Sequence, residues 1–162
     1  MLSKEEFQAI YQAHFGALRR YMFYRCGDID MASDVSQDVF MEIWEKRASL
    51  NANHIVPLLY KIATVMQYNH YRMKLRQMDF EQRMMNTDDV ALSPEDEMRF
   101  NELVEAYSKA LEQMPEKQRA IFLMNREDGM KYAEIADRLQ ISVKAVEKHI
   151  SAALRMLRTK LL

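Results

Sequence analysis

The sequence predicts an all-α protein made of two small helical modules joined by an acidic linker. Three observations carry that expectation. The 162 residues include only 3 Gly and 3 Pro, too few to turn the hairpins of an all-β sandwich or barrel. The 14 Met, together with many Leu, Glu, Gln, Lys and Arg, favour helix. Apolar residues recur at steps of three, four and seven along most of the chain, the period of a helix face.

The first helix is marked by Phe7, Ile10, Tyr11, Leu18, Tyr21 and Met22 on one face. Ser3 and Glu6 form a capping-box pattern at its start, and Gly27 ends it. A second helix is expected from about Asp30 to Arg47, with Ala32, Val35, Val39, Phe40 and Ile43 inward and Asp34, Gln37, Asp38, Glu42 and Glu45 mostly on other faces. Residues 48–54 read as a polar loop. A third helix starts near His54, tolerates Pro57 in its first turn and continues to about Gln77.

The composition then shifts. Between Asp79 and Glu102 stand eight acids and two bases. The stretch NTDDVALSPED has no helical period, so residues 79–93 are expected to form a mobile linker between an N-terminal module, 1–78, and a C-terminal one, 94–162. Ser93 and Pro94, followed by acids, are the start signals of a fourth helix running to about Met114. Pro115 opens a fifth, to about Asn125. Gly129 breaks the chain, and two helices follow, at about 131–139 and 143–160.

Composition also excludes function classes. Phosphate-cradling glycine loops are absent. Four scattered His with no HExxH pattern, and a lone Cys26, offer neither a metal cluster nor an activated nucleophile. No enzyme activity, catalytic residue, metal or cofactor is therefore expected. The N-terminus lacks the apolar segment of a secretory signal, and no run of about 18 apolar residues exists to insert in a membrane. A cytoplasmic location follows as the expectation. The formal net charge of −1, from 23 Lys and Arg against 24 Asp and Glu, does not exclude a nucleic-acid partner, because the signs are segregated along the chain.

The segregation is clearest at the C-terminus, where Lys131–Leu162 holds seven bases and three acids. There Ile135, Ala136 and Leu139 form one short apolar face, Gln140 and Ile141 a turn, and Ser142 a cap. Val146, Ile150, Ala153, Leu154 and Leu157 form the apolar face of the next helix. This is the pattern of a helix-turn-helix, whose second helix enters the DNA major groove. The face opposite carries Ser142, Lys144, Glu147, Lys148, His149, Ser151 and Arg155. Basic residues release counterions from a duplex, while a carboxylate accepts from cytosine and Lys donates to guanine. The competing interpretation is an ordinary helical hairpin with a solvated charged face. The turn holds Gln140 where Gly is usual, which costs strain in a left-handed conformation.

The segment ALEQMPEKQRAIFLMNREDGMKYAEIADRLQISVKAVEKHISAALRMLR resembles the fourth conserved region of bacterial sigma factors, and by itself also resembles the output domain of LuxR-type regulators. The N-terminal half discriminates. FQAIYQAHFGALRRYMFYRCGDIDMASDVSQDVFMEIWEKRASL is similar to the second sigma region, with Ala32, Ser33, Asp34, Gln37 and Phe40 standing where that region places Ala-Glu-Asp-x-x-Gln-x-x-Phe before an aromatic, here Trp44. The order of modules, the length and the lack of a third region resemble the extracytoplasmic-function (ECF) group, over about residues 5–160.

That resemblance implies a two-module initiation factor without an active site. It implies that the second helix docks on core RNA polymerase, at a coiled coil of the β′ subunit, with the β subunit also engaged, through Asp34, Gln37, Asp38, Phe40, Met41 and Trp44. For the carboxylates the alternative is a solvated helix face, and for Trp44 a core position. The third helix falls where the family reads the melted minus-ten element. From Lys61 to Met78 it has four bases, no acids and interleaved Tyr and His, a composition suited to unpaired strands. Candidate contacts are Lys61, Thr64, Gln67, His70 and Arg72, with Asn51 and Asn53 in the preceding loop, where Asn also serves ordinary turn chemistry. The family's usual Ile-Ala-Arg-Asn is replaced by Ile62, Ala63, Thr64 and Val65, and its following Asp by Asn69, which puts promoter specificity and melting in question. The charged face of the last helix would read the minus-thirty-five duplex. Partners implied are core RNA polymerase, promoter DNA and an anti-sigma factor. A helix-turn-helix regulator that never engages polymerase is the alternative.

Overall fold

The computed structural model describes residues 1–75 and 94–162; the side chains of 71–75 and 94 are not described. The expected linker 79–93, with its Ser93 cap, lies outside the described residues. All regular elements among the described residues are helical.

Helix α1 spans Lys4–Cys26. Ser3 Oγ accepts from the Glu6 amide at 3.1 Å and Glu6 Oε2 from the Ser3 amide at 2.8 Å, so the capping box forms as the sequence predicts. Gly27 closes the helix at φ 69°, a left-handed position that glycine occupies without steric cost. Helix α2 spans Ile29–Glu45, beginning one residue before the expected start because Asp28 accepts from the Asp30 and Met31 amides. The polar loop contains two short 3₁₀ turns, Arg47–Ser49 and Ala52–His54. Helix α3 then runs Ile55–Leu75. These three helices pack on one another around Leu18, Met22, Val35, Val39, Ile43, Leu59 and Ala63, all essentially sealed from water.

In the C-terminal half, α4 spans Pro94–Gln113, α5 Glu116–Arg126, α6 Tyr132–Leu139 and α7 Val143–Leu161. Helix α7 is the central element and touches α4, α5 and α6. Its buried stripe is Val146, Ile150, Ala153 and Leu157, a step of four or three each time. Leu154, expected on this stripe, is 45% exposed because it lies at the stripe's edge. Leu139 is half-buried.

The two halves are in contact. Helix α1 packs along α5, and α3 along α6. The buried apolar side chains of both halves join in one continuous cluster.

Candidate nucleic-acid interface

The turn between α6 and α7 sets the aim of α7. Gln140 adopts φ 53°, ψ 49°, the left-handed conformation the sequence expectation flagged as costly. Its own amide offsets part of that cost by donating from Nε2 to the Asp137 carbonyl. Ile141 N–H returns to Ala136 O at 3.0 Å, which ties the turn to the preceding helix. Ser142 Oγ then accepts from the Ala145 amide at 3.0 Å and starts α7.

With α7 so placed, Lys144, Glu147, Lys148, Ser151 and Arg155 are exposed on the side away from the core. Ser142, Lys144, Ala145, Glu147, Lys148 and Ser151 line one shallow concavity along its first turns. His149 is half-buried, and its pKa falls below the usual histidine value through desolvation and then the neighbouring Lys117 and Lys148 charges. It enters the surface as a neutral imidazole at pH 7. Ser142 spends its hydroxyl lone pair on the helix cap, so its first role is to position the helix.

The side chains assigned to the minus-ten strand are distributed differently. Lys61 is exposed on α3. Thr64 Oγ1 donates back to the Tyr60 carbonyl at 2.9 Å. Gln67 is 4% exposed and accepts from Arg25 Nε at 3.1 Å, so sequence reasoning that placed it on an open face missed its burial between α1 and α3. His70 Nε2 stands 3.5 Å from Asp38 Oδ2, joining this face to the α2 face. The Arg72 side chain lies outside the described residues. Asn51 Oδ1 accepts from the Asn53 amide at 3.0 Å, a local turn bond of the ordinary kind, while both residues remain exposed.

On α2, Asp34, Gln37, Asp38 and Met41 are exposed, Met41 at 60%. Phe40 is 3% exposed, as its inward position on the helix predicts, so it does not present its ring to a partner as the docking assignment required. It lies edge-on to Phe7 and Tyr11, with ring centroids at 6.1 and 5.0 Å, and supports the surface from below. Trp44 is half-buried, with Phe7 at 5.0 Å and the Arg47 guanidinium 3.9 Å above its ring. The apolar groups that reach this surface are Met41 and Tyr11, the latter 39% exposed and stacked on Phe15 at 4.9 Å. Tyr11 sits on the apolar stripe of α1, so periodicity marks it as core; its position one layer above Phe40 is visible only in three dimensions.

Sequence reasoning named Thr64 and Gln67 but missed the groove they share with Arg25 and Glu116. Arg25, Thr64, Val65, Gln67, Tyr68 and Glu116 line a groove of about 310 Å³ where α1, α3 and the start of α5 meet. Arg25 Nη2 is 3.5 Å from Glu116 Oε2. A residue ninety-one positions on in the chain carries no local signal that it will face α3. Among the described residues, no helix is long and apolar enough to cross a membrane.

Residues 105–157, which span most of α4 through α7, match the family model for sigma-70, region 4. The chain is 25% identical over 148 residues to the ferric citrate uptake sigma factor FecI of Escherichia coli (strain K12), covering 91% of this chain and 86% of that protein. Its fold resembles the sigma factor RpoE in a co-crystal structure with the anti-sigma factor NepR from Bartonella quintana, with a TM-score of 0.66, 20% identity and 97% of each chain covered.

Proposed function

We propose that the chain is a sigma factor of the sigma-70 family, in its ECF group, which binds core RNA polymerase and directs it to promoters. It does no chemistry of its own. The polymerase makes the phosphodiester bonds, and this chain chooses where.

In this reading the α2 face grips the polymerase. Asp34, Gln37 and Asp38 supply acceptors and Met41 an apolar contact, with Trp44 and Phe40 holding that surface in shape. A coiled coil of the β′ subunit with basic and apolar positions is complementary to it. Helix α7 enters the major groove of the minus-thirty-five element, where Lys144, Lys148 and Arg155 meet phosphates or guanines and Glu147 accepts from a cytosine amino group. Lys61, Thr64, His70 and Arg72, with Asn51 and Asn53, engage the unpaired minus-ten strand, while the buried Gln67 supports that face through Arg25. Binding the melted strand better than the duplex pulls the equilibrium toward the open promoter. The two modules are residues 1–78 and 94–162, bridged by 79–93. An anti-sigma factor, as in the complex of the RpoE relative, is the expected inhibitor, and the cytoplasm the expected location.

The observation that carries the reading is the outward, basic face of α7 on a region 4 scaffold, held in place by the Gln140 turn and the Ser142 cap. The experiment is run-off transcription: purified chain plus core polymerase, offered a randomised promoter library. Initiation at a shared sequence motif is the expected result. Duplex binding without any start-site selection would instead favour a regulator independent of polymerase.

A further inference from the structure

The chain holds 14 Met, and their exposure singles out one position. Among the described side chains, Met22, Met114, Met124 and Met130 are buried and three others half-buried. Three are exposed: Met1 at 88%, Met98 at 66% and Met41 at 60%. Met1 is the first residue, and Met98 lies in the first turns of α4, on no face assigned a partner above. Met41 stands on α2 within the face assigned to the polymerase. Gln37 and Asp38 lie one turn before it and Asp34 two turns before, all exposed on the same side. The layer beneath is filled by Phe40, which is 3% exposed and packs edge-on to Phe7 and Tyr11. The Met41 thioether therefore stays in water in the free chain, and with Tyr11 it supplies the apolar part of that surface.

A solvated thioether is open to two-electron oxidation. Its sulfur lone pair attacks one oxygen of hydrogen peroxide. The S–O bond forms, the O–O bond breaks, and the other oxygen leaves with both protons as water. Sulfur loses two electrons and the peroxide gains them. The product, methionine sulfoxide, replaces a soft apolar tip with a polar hydrogen-bond acceptor. On a solvated helix face that exchange disturbs little. Within a docking patch it matters more: the new oxygen is either buried without a donor or keeps its water and holds the partners apart. It also adds an acceptor beside Asp34, Gln37 and Asp38, where the surface had offered an apolar contact.

We propose that Met41 is a modification site: oxidation of its thioether by a peroxide lowers the affinity of the chain for core polymerase, and polymerase, once docked, shields the same sulfur. This rests on the assignment of the α2 face to the polymerase made above. Free and docked chains then differ in susceptibility. An oxidised chain stays out of the holoenzyme until a methionine sulfoxide reductase restores the thioether.

The test treats full-length wild type and full-length Met41→Leu, each alone, with hydrogen peroxide at a dose that leaves helical circular dichroism intact. The peroxide is removed, untreated core polymerase is titrated in, and each protein is compared with its own untreated sample. Peptide mass spectrometry reads oxidation position by position. The expected result is a sulfoxide at Met41 in free wild type, with core affinity reduced about tenfold, against a change below about twofold on treating Met41→Leu. Sulfoxide reductases specific for the two epimers should restore the wild-type affinity, and Met41 in preformed holoenzyme should resist the same dose. Wild type carrying the sulfoxide at Met41 with undiminished affinity overturns the proposal. So does an equal loss in Met41→Leu, or oxidation of Met41 no faster than that of the buried Met22 and Met124. If untreated wild type never binds core polymerase, the function assignment itself falls and takes this proposal with it; normal binding without loss on oxidation sinks the proposal alone.

Discussion

Arg119 Nε lies 2.6 Å from the backbone carbonyl of Tyr24, so a guanidinium from the C-terminal half completes the last turn of the first helix. Arg119 is half-buried, and burial lowers its pKa from the usual arginine value, with Glu116 opposing that shift. It remains charged at pH 7 because the guanidinium titrates so far above that range.

Removing it is expected to be expensive. Arg119→Ala leaves the Tyr24 and Arg25 carbonyls at the end of α1 and the Leu111 carbonyl near the end of α4 without their charged donor, at a cost of about 2–4 kcal/mol. Arg119→Lys should recover less than half of this, since an ammonium cannot reach divergent carbonyls as a planar fork does. Urea denaturation followed by circular dichroism measures both. A loss below about 1 kcal/mol in Arg119→Ala would show that these bonds are incidental.

The α2 surface separates two kinds of residue that sequence alone grouped together. Asp34 is exposed, so Asp34→Arg should leave the urea midpoint close to wild type while abolishing co-purification with core polymerase. Phe40 is buried beneath Phe7 and Tyr11, so Phe40→Ala should cost about 3–5 kcal/mol and lose polymerase only through unfolding. Equal stability loss in both variants, or polymerase binding by Asp34→Arg, would contradict the docking assignment.

That contrast illustrates what was legible before the fold was known. Local chemistry was: the Ser3–Glu6 box, the Gly27 stop and the Ser142 cap each act within a few residues and formed where the pattern put them. Helix faces were legible to within one layer: Phe40 is buried as its inward position predicts and so cannot also be a surface anchor, and Leu154, expected inward, lies exposed at the edge of its stripe. Contacts across the chain were not. Gln67 reads as one more polar residue on a basic helix until Arg25 closes over it. Asp128, in a turn next to Gly129, gives no hint that it will bind Arg20 and Tyr24 more than a hundred positions earlier.

Lys148 is exposed on the outward face of α7 and touches the same concavity as Lys144 and Ser151. Lys148→Glu should weaken binding to a cognate promoter duplex by about tenfold or more and lower the slope of log affinity against log salt by about 1 to 2, since one cation is lost and an anion added. Co-purification with core polymerase should be unchanged. Fluorescence anisotropy across a salt series gives both quantities. A parallel loss of polymerase binding would mean that this face is not the duplex reader.

His14 predicts a pH dependence. Its Nδ1 is buried without a hydrogen-bond partner, and desolvation, then the Arg138 charge, lowers its pKa below 6.5. His149 is lowered in the same direction. The folded chain therefore binds fewer protons than the unfolded chain between the lowered pKa values and 6.5, and stability rises with pH across that window. Going from pH 7 downward, stability should fall once pH passes the unfolded value and level off below the folded one. His14→Gln should flatten the part of this slope that belongs to position 14, and His149→Gln the remainder. Urea midpoints at pH 7, 6 and 5 measure the effect. A slope of opposite sign would mean that the native state favours the imidazolium.

The turn before α7 offers a gain instead of a loss. Gln140 holds φ 53° with a side chain attached, a conformation that costs an ordinary residue about 1–2 kcal/mol. Gln140→Gly removes that strain but gives up the Nε2 bond to Asp137 O and adds backbone freedom to the unfolded chain, which together take back about 1 kcal/mol. The net expectation is a stabilisation of up to about 1 kcal/mol. Gln140→Ala, which keeps the strain and loses the bond, should destabilise by about the same amount. If glycine proves worse than alanine, the left-handed geometry is not what limits this turn. Because Ile141 and Ser142 follow directly and set the start of α7, duplex affinity measured alongside stability would also show whether Gln140 fixes the angle at which Lys144 and Lys148 meet DNA.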